Sequence, residues 1–244
     1  MTSHDVVDAV RRALGERRVG HAGTLDPDAT GVLLVGVGSA TRLLRFGTEL
    51  PKTYTCEIVF GVETDTLDDS GAVVARHAMA PVDLDRARQV VAEHLVGPIM
   101  QVPPMVSALH VGGRRLHELA RKGIEVERAP RPVEVYRFEL DHGAPADVLR
   151  AVVDCSTGTY VRALAADLGR LLGGGAHLRA LRRTAIGPHT VATATPIDAL
   201  HLLPSVEVVR HFDRVEVDEP TAARVAHGGL LADLPGTGPW AVVA

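Results

Sequence analysis

The stretch Gly20-His21-Ala22-Gly23-Thr24-Leu25-Asp26-Pro27-Asp28-Ala29-Thr30-Gly31 constrains this chain more than any other. It places one carboxylate, Asp26, in a tight turn punctuated by glycines, and an apolar run, Val32 to Val37, follows it. An aspartate held by backbone geometry suits a nucleophile or a general base. The same turn also reads as a structural loop, so the rest of the chain must arbitrate.

The other segments read as alternating short elements. Ser3 is the expected N-cap of a helix with Val6, Val7, Val10 and Leu14 as its apolar stripe. Val32–Val37 reads as a buried strand, and Ser39 as the cap of a short helix through Leu44. Thr53–Phe60 alternates, with Tyr54, Cys56, Ile58 and Phe60 on one face of a strand. Asp83 caps an expected helix through Leu95. Pro103-Pro104 excludes a regular central strand over Gln101–Leu109, and Arg114–Lys122 reads as a short basic helix. Val133–Leu140, Leu149–Cys155 and Leu178–Ile186 read as strands, and Thr159–Leu172 as an amphipathic helix. This irregular alternation, without repeated βαβ units, predicts an α+β fold. Its central sheet is mixed and largely antiparallel, with helices flanking it. Residues 1–204 form the expected main domain and 205–244 a small, partial C-terminal module.

Composition narrows the function classes. No apolar run approaches the roughly 18 residues needed to span a bilayer. The first residues show neither a basic n-region nor an apolar h-region, so a cytoplasmic protein is expected. Cys56 and Cys155 lie far apart without metal-type spacing, which suits a reducing compartment. Neither a zinc-type ligand cluster nor a phosphate-binding glycine loop is visible, and no metal or cofactor is expected. The net charge of −4 does not advertise nucleic-acid binding. Yet residues 101–200 carry 13 basic against 10 acidic side chains. Of the 26 basic residues only Lys52 and Lys122 are lysines. Arginine forks suit phosphates and stacking on bases, and a base-composition bias explains the same count equally well.

Six segments, in order, resemble the TruB-type tRNA pseudouridine synthases. They are the Gly20–Gly31 turn; Lys52-Thr53-Tyr54; Thr64-Asp65-Thr66-x-Asp68-x-x-Gly71; Pro103-Pro104-x-x-Ser107-Ala108-Leu109; Cys155-Ser156-x-Gly158-Thr159-Tyr160-Val161-Arg162; and Gly175-Ala176-His177-Leu178-x-x-Leu181-Arg182-Arg183-Thr184. The resemblance implies isomerisation of the T-loop uridine, position 55 of tRNA. Asp26 becomes the nucleophile. A nucleophilic carboxylate must be charged, which burial opposes, so a cationic neighbour is required; the resemblance points to Arg162. It stacks Tyr54 on the target uracil, with its hydroxyl available for a proton transfer. It places His21 in the space left by a flipped base, and Tyr160 and Leu181 along the nucleotide pocket. Thr24 and Leu25 shape the turn, and Arg179, Arg182 and Arg183 are expected to track phosphates. The implied partner is the tRNA T-arm stem-loop, without guide RNA or membrane, and nothing demands more than a monomer.

The chain departs from the family pattern in three places. The family carries a Lys-Pro-x-Gly strand segment where Met1 stands, and its loss is expected to open a sheet edge. His110 and His117 replace the family's usual basic residue and tyrosine, which weakens the expected phosphate contacts there. The segment after about residue 205 is short for the family's RNA-binding domain, which is PUA-like in many members. A second reading, motivated by the first departure, is a catalytically weak tRNA-binding or tRNA-folding protein that retains the pocket. A retaining glycosidase is disfavoured, because such enzymes use two carboxylates.

Overall fold

The computed structural model describes residues 1–107, 109–111, 113–120, 122–231, 234 and 237–244. Ala108 and Arg121, which belong to an expected motif and an expected helix, lie outside the described residues, as do the side chains of His110 and His117.

In chain order the helices are α1 (Ser3–Leu14), α2 (Leu44–Glu49), α3 (Leu84–His94), α4 (Leu116–Ala120), α5 (Val161–Leu171) and α6 (Glu219–Ala226). The strands are β1 (Val19–Ala22), β2 (Thr30–Gly31), β3 (Leu34–Val37), β4 (Lys52–Phe60), β5 (Val62–Thr64), β6 (Val73–Arg76), β7 (Gly97–Gln101), β8 (His110–Val111), β9 (Arg114–Arg115), β10 (Arg131–His142), β11 (Val148–Cys155), β12 (Ala176–Ile186), β13 (His189–Thr190), β14 (Asp213–Glu216) and β15 (Trp240–Val243). The fold is α+β, as expected. Its main sheet runs β13-β12-β4-β11-β10-β7 with antiparallel neighbours, and β2 joins β12 in parallel.

β4 carries the alternation that the sequence shows: Cys56, Ile58 and Phe60 are buried on the face that Tyr54 shares. Helices α3 and α5 cover this face and build the main core, with Ala87, Val90, Leu164 and Leu168 among the contributors. Asp83 caps α3, accepting from the backbone of Asp85 and Arg86. The antiparallel pair β1–β3 stands apart and packs on α1 through Val7, Val10 and Val19.

Four local expectations need correction. Thr2, not Ser3, caps α1; its hydroxyl and Asp5 form a reciprocal capping box. Ser3 sits one residue inside and is buried. The strand after the turn begins at Leu34 rather than Val32, because Val32 donates its N–H to the Arg183 carbonyl at 2.9 Å and is spent on β12. Ser39 caps nothing: a 3-10 helix begins at Gly38 after an extended Val37. Arg114–Lys122 is divided between a two-residue strand and the single turn of α4.

Residues beyond 204 begin with a 3-10 helix, Ser205–Val209, which buries Val208 and Val209. Phe212 meets Phe46 of α2 edge-on at 5.1 Å. The segment continues into α6 and the parallel pair β14–β15.

Candidate active site

Asp26 sits in a turn closed by the Ala29 N–H on its carbonyl at 3.0 Å. The turn is fixed at both shoulders. The buried Ser3 hydroxyl accepts from the Leu25 N–H at 2.9 Å, which ties the first turn of α1 to the residue before Asp26. After the turn, β2 pairs with β12, Thr30 opposite Arg182 and Gly31 opposite Arg183. Gly31 has φ +105°, and a Cβ there would collide with the Arg183 carbonyl oxygen. Only glycine allows this backbone approach and this conformation.

Arg162 projects from the first turn of α5 and grips Asp26 with a two-pronged fork. Nε donates to Oδ2 at 2.8 Å and Nη2 to Oδ1 at 2.9 Å. The same guanidinium donates to the Thr66 carbonyl at 2.7 Å and the Val106 carbonyl at 2.9 Å. Arg162 is 3% exposed, whereas the Asp26 side chain is 37% exposed. The cation is thus buried and its carboxylate is open to an incoming molecule. A bidentate pair of this kind fixes orientation as well as charge.

A second carboxylate, Asp68, lies 3.6 Å from Arg162 Nε and is mostly buried. Thr66 and Ser70 side chains donate to it. Its segment is stitched to β12 by the Asp69 N–H on the Leu178 carbonyl and the Leu178 N–H on the Leu67 carbonyl. The sequence reading places Asp68 within a motif without giving it a role. The Thr66-x-Asp68-x-Ser70 spacing, typical of a side-chain-bonded turn, is the signal that reveals a fixed carboxylate.

Tyr54 is half-buried on β4, packed on the main core. Burial raises its pKa; Arg183 opposes the rise, by charge and a hydrogen bond, and the Asp26 charge adds to it. Tyr160 precedes α5. The Gln101 side chain holds its backbone at both ends, accepting from the N–H at 2.8 Å and donating to the carbonyl at 3.1 Å. Burial raises the Tyr160 pKa too, against a hydrogen bond with Ser107, and the Asp26 charge again contributes. Both phenols therefore lie within electrostatic reach of Asp26. Gln101, itself buried, is a supporting residue that the sequence does not single out.

The remaining expected residues are placed as follows. His21 ends up half-buried on β1, its ring edge-on to His4 at 5.8 Å. Burial, His4 and Arg183 all lower its pKa, which disfavours the charged imidazolium. Thr24 is exposed, and Leu25 and Leu181 are half-buried, Leu181 against the main core. Arg182 is exposed and reaches the Thr30 hydroxyl at 3.1 Å.

Arg179 and Arg183 do not form the expected phosphate-tracking row. Arg179 is engaged by Glu57 at 2.7 Å. Arg183 is 1% exposed. Simple alternation from Arg179 would leave Arg183 on the same open face. The register slips between Arg179 and Arg182, so Arg182 opposes Thr55 and Arg183 opposes Tyr54 on the core face. A bulge of one residue reverses the facing of the side chains after it, here as far as a second slip between Arg183 and Ala185.

With this geometry, the chain matches two adjoining family models: "TruB family pseudouridylate synthase (N terminal domain)" over residues 11–161 and "tRNA pseudouridylate synthase B C-terminal domain" over residues 162–208. It therefore belongs to the TruB family of tRNA pseudouridine synthases, which are isomerases. It is 51% identical over 236 residues to a tRNA pseudouridine synthase B from Symbiobacterium thermophilum, covering 93% of this chain and 78% of that protein. A namesake from Aromatoleum aromaticum is 46% identical over 242 residues, covering 95% and 78%. Among solved structures, a Cbf5-Nop10-Gar1 complex aligns with TM-score 0.71 at 27% identity, over 94% of this chain and 64% of that one. An H/ACA RNP bound to a substrate RNA containing 2'-deoxyuridine aligns with TM-score 0.69 at 26% identity, over 95% and 64%. The chain thus spans less than two thirds of those solved chains.

Proposed function

We propose that this chain converts uridine 55 in the T-loop of tRNA to pseudouridine, with Asp26 as the nucleophile. The observation that carries this reading is the buried Arg162 forked onto a carboxylate that is itself accessible. Isomerisation breaks the bond between N1 and the ribose C1′, turns the uracil, and joins C5 to C1′. The C5 proton leaves and N1 gains one. Asp26 holds the fragments together while the base turns. Tyr54 stacks on the uracil, a contact worth roughly 1–3 kcal/mol per base. Tyr160 and Leu181 line the nucleotide pocket, Thr24 and Leu25 shape the turn, and His21 fills the gap that the extruded base leaves. Arg182 meets a phosphate. Single-stranded loops with splayed bases are read by shape and stacking, and the proposed partner is the T-arm alone, recognised by a monomer without guide RNA. Residues 205–244 contribute to RNA binding.

The test is tritium release from tRNA labelled at uridine C5, with purified protein and tRNA only. Release is expected from the parent, and Asp26→Asn should lower it at least about 10³-fold. No release above the Asp26→Asn background, with tRNA binding intact, would leave the tRNA-folding reading in its place.

A further inference from the structure

Arg183 is among the most deeply buried side chains, yet among the described residues no carboxylate pairs with it. Its guanidinium instead meets backbone carbonyls on both sides of Asp26. Nη2 donates to Gly23 at 3.0 Å, Nη1 to Thr24 at 3.5 Å and Nε to Val32 at 2.8 Å. Carbonyl dipoles satisfy its N–H groups but leave its charge unmatched, and a buried unmatched charge is unfavourable. Something nearby is expected to become negative.

The titratable groups around it narrow the choice. Lys52, on β4, is buried and donates to the Thr48 carbonyl; it is a second cation, not a counter-ion. Cys155, on β11, has its thiol pushed up to about 11 by burial. His21, on β1, is a base that the same guanidinium discourages from charging. Asp26 is committed to Arg162. Tyr54 remains. It stands directly opposite Arg183 in the β4–β12 register, on the same face, where the guanidinium favours the ionised phenol.

We propose that Arg183 is a positioning residue: it ties the Tyr54 hydroxyl to the turn that carries Asp26 and supplies the counter-charge when that hydroxyl is deprotonated. This rests on the reading of Tyr54 as a participant in proton transfer. The Tyr54 proton passes to water, and the phenolate oxygen then takes the C5 proton. The C5–H electron pair restores the ring double bond, N1 takes its proton from water, and Tyr54 is returned protonated. One side chain thereby fixes the distance between nucleophile and base.

The experiment uses the whole chain labelled with 3-fluorotyrosine, whose fluorine lowers phenol pKa into a range where the fold persists. The chain has three tyrosines, Tyr54, Tyr136 and Tyr160, and Tyr54→Phe assigns its resonance. Arg183→Gln is expected to raise the Tyr54 midpoint, followed by fluorine NMR, by at least about one pH unit. The other two midpoints should stay in place. An unchanged Tyr54 midpoint in folded Arg183→Gln overturns the proposal. This measurement needs no turnover, so it stands apart from any failure of the uridine reading. If Arg183→Gln does not fold, Arg183→Lys keeps the charge without the fork. Its single-turnover rate on tRNA should fall at least about tenfold with tRNA affinity within about twofold; equal losses in both would overturn the proposal.

Discussion

Arg162 and Arg183 are buried to nearly the same depth, and both reach the turn that carries Asp26, but they meet it in different ways. Arg162, from a helix, bonds the Asp26 carboxylate itself and lies beside a second one, Asp68. Arg183, from a strand, bonds the backbone carbonyls of Gly23, Thr24 and Val32. The helix side holds a charge and the strand side holds a shape. The nucleophilic role proposed for Asp26 needs both, because a charged group in the wrong place loses most of its advantage.

Breaking the helix side should have the largest effect. Arg162→Ala leaves Asp26 and Asp68 close together without their cation and removes the bond to two further segments. Turnover is expected to fall about 10²–10³-fold, with tRNA affinity within about threefold and stability lower by about 3–5 kcal/mol. Single-turnover kinetics, filter binding and urea melts read the three quantities. Equal losses of turnover and affinity would erase the distinction between the two arginines.

On the strand side, Gly31→Ala drives a methyl group into the Arg183 carbonyl at a left-handed φ. An expected cost of about 3 kcal/mol should appear in urea unfolding, and a neutral result would mean that the β2–β12 approach is looser than described.

Lys52 offers a subtler test of the strand side. Burial, with Arg183 adding to it, lowers its pKa from 10.5 to about 8. Below pH 8 the lysine is charged in both folded and unfolded chains, and its burial is fully unfavourable. Between pH 8 and 10.5 the unfolded chain holds the extra proton, so this group makes the fold more stable as pH rises. Burial raises Cys56 to about 12 and Cys155 to about 11, which works the other way above pH 9. The difference between the parent and Lys52→Met isolates the lysine. The parent should gain roughly 2–3 kcal/mol on the variant from pH 8 to 10.5. A gap independent of pH would show that Lys52 titrates normally.

What the sequence made legible were features written locally. The period-two pattern of Tyr54, Cys56, Ile58 and Phe60 is a property of seven consecutive residues, and β4 forms where it says. Asp83 likewise caps α3 with its own neighbours. The Asp26–Arg162 pair was reachable only through family resemblance, since 136 residues separate its members. Ser3 was misread because a serine before an apolar stripe signals a cap, whereas its hydroxyl is spent 22 residues away on Leu25. Arg183 was misread because strand alternation carries no mark of a bulge. The positive φ at Ala180, a residue with no glycine-like licence, shows the strain that no periodicity announces.

The pairing of β2 with β12 also sets an order of events during synthesis. Val32 and Arg183 are 151 positions apart. At ribosomal rates of about 5–20 residues per second, roughly 8–30 s pass between the two leaving the peptidyl-transferase centre. Through that interval the aspartate turn exists without the strand that shapes it. The nascent chain therefore carries Asp26 long before the fold that surrounds it, and the turn is completed only as β12 emerges, with just the two-residue β13 of that sheet still to come.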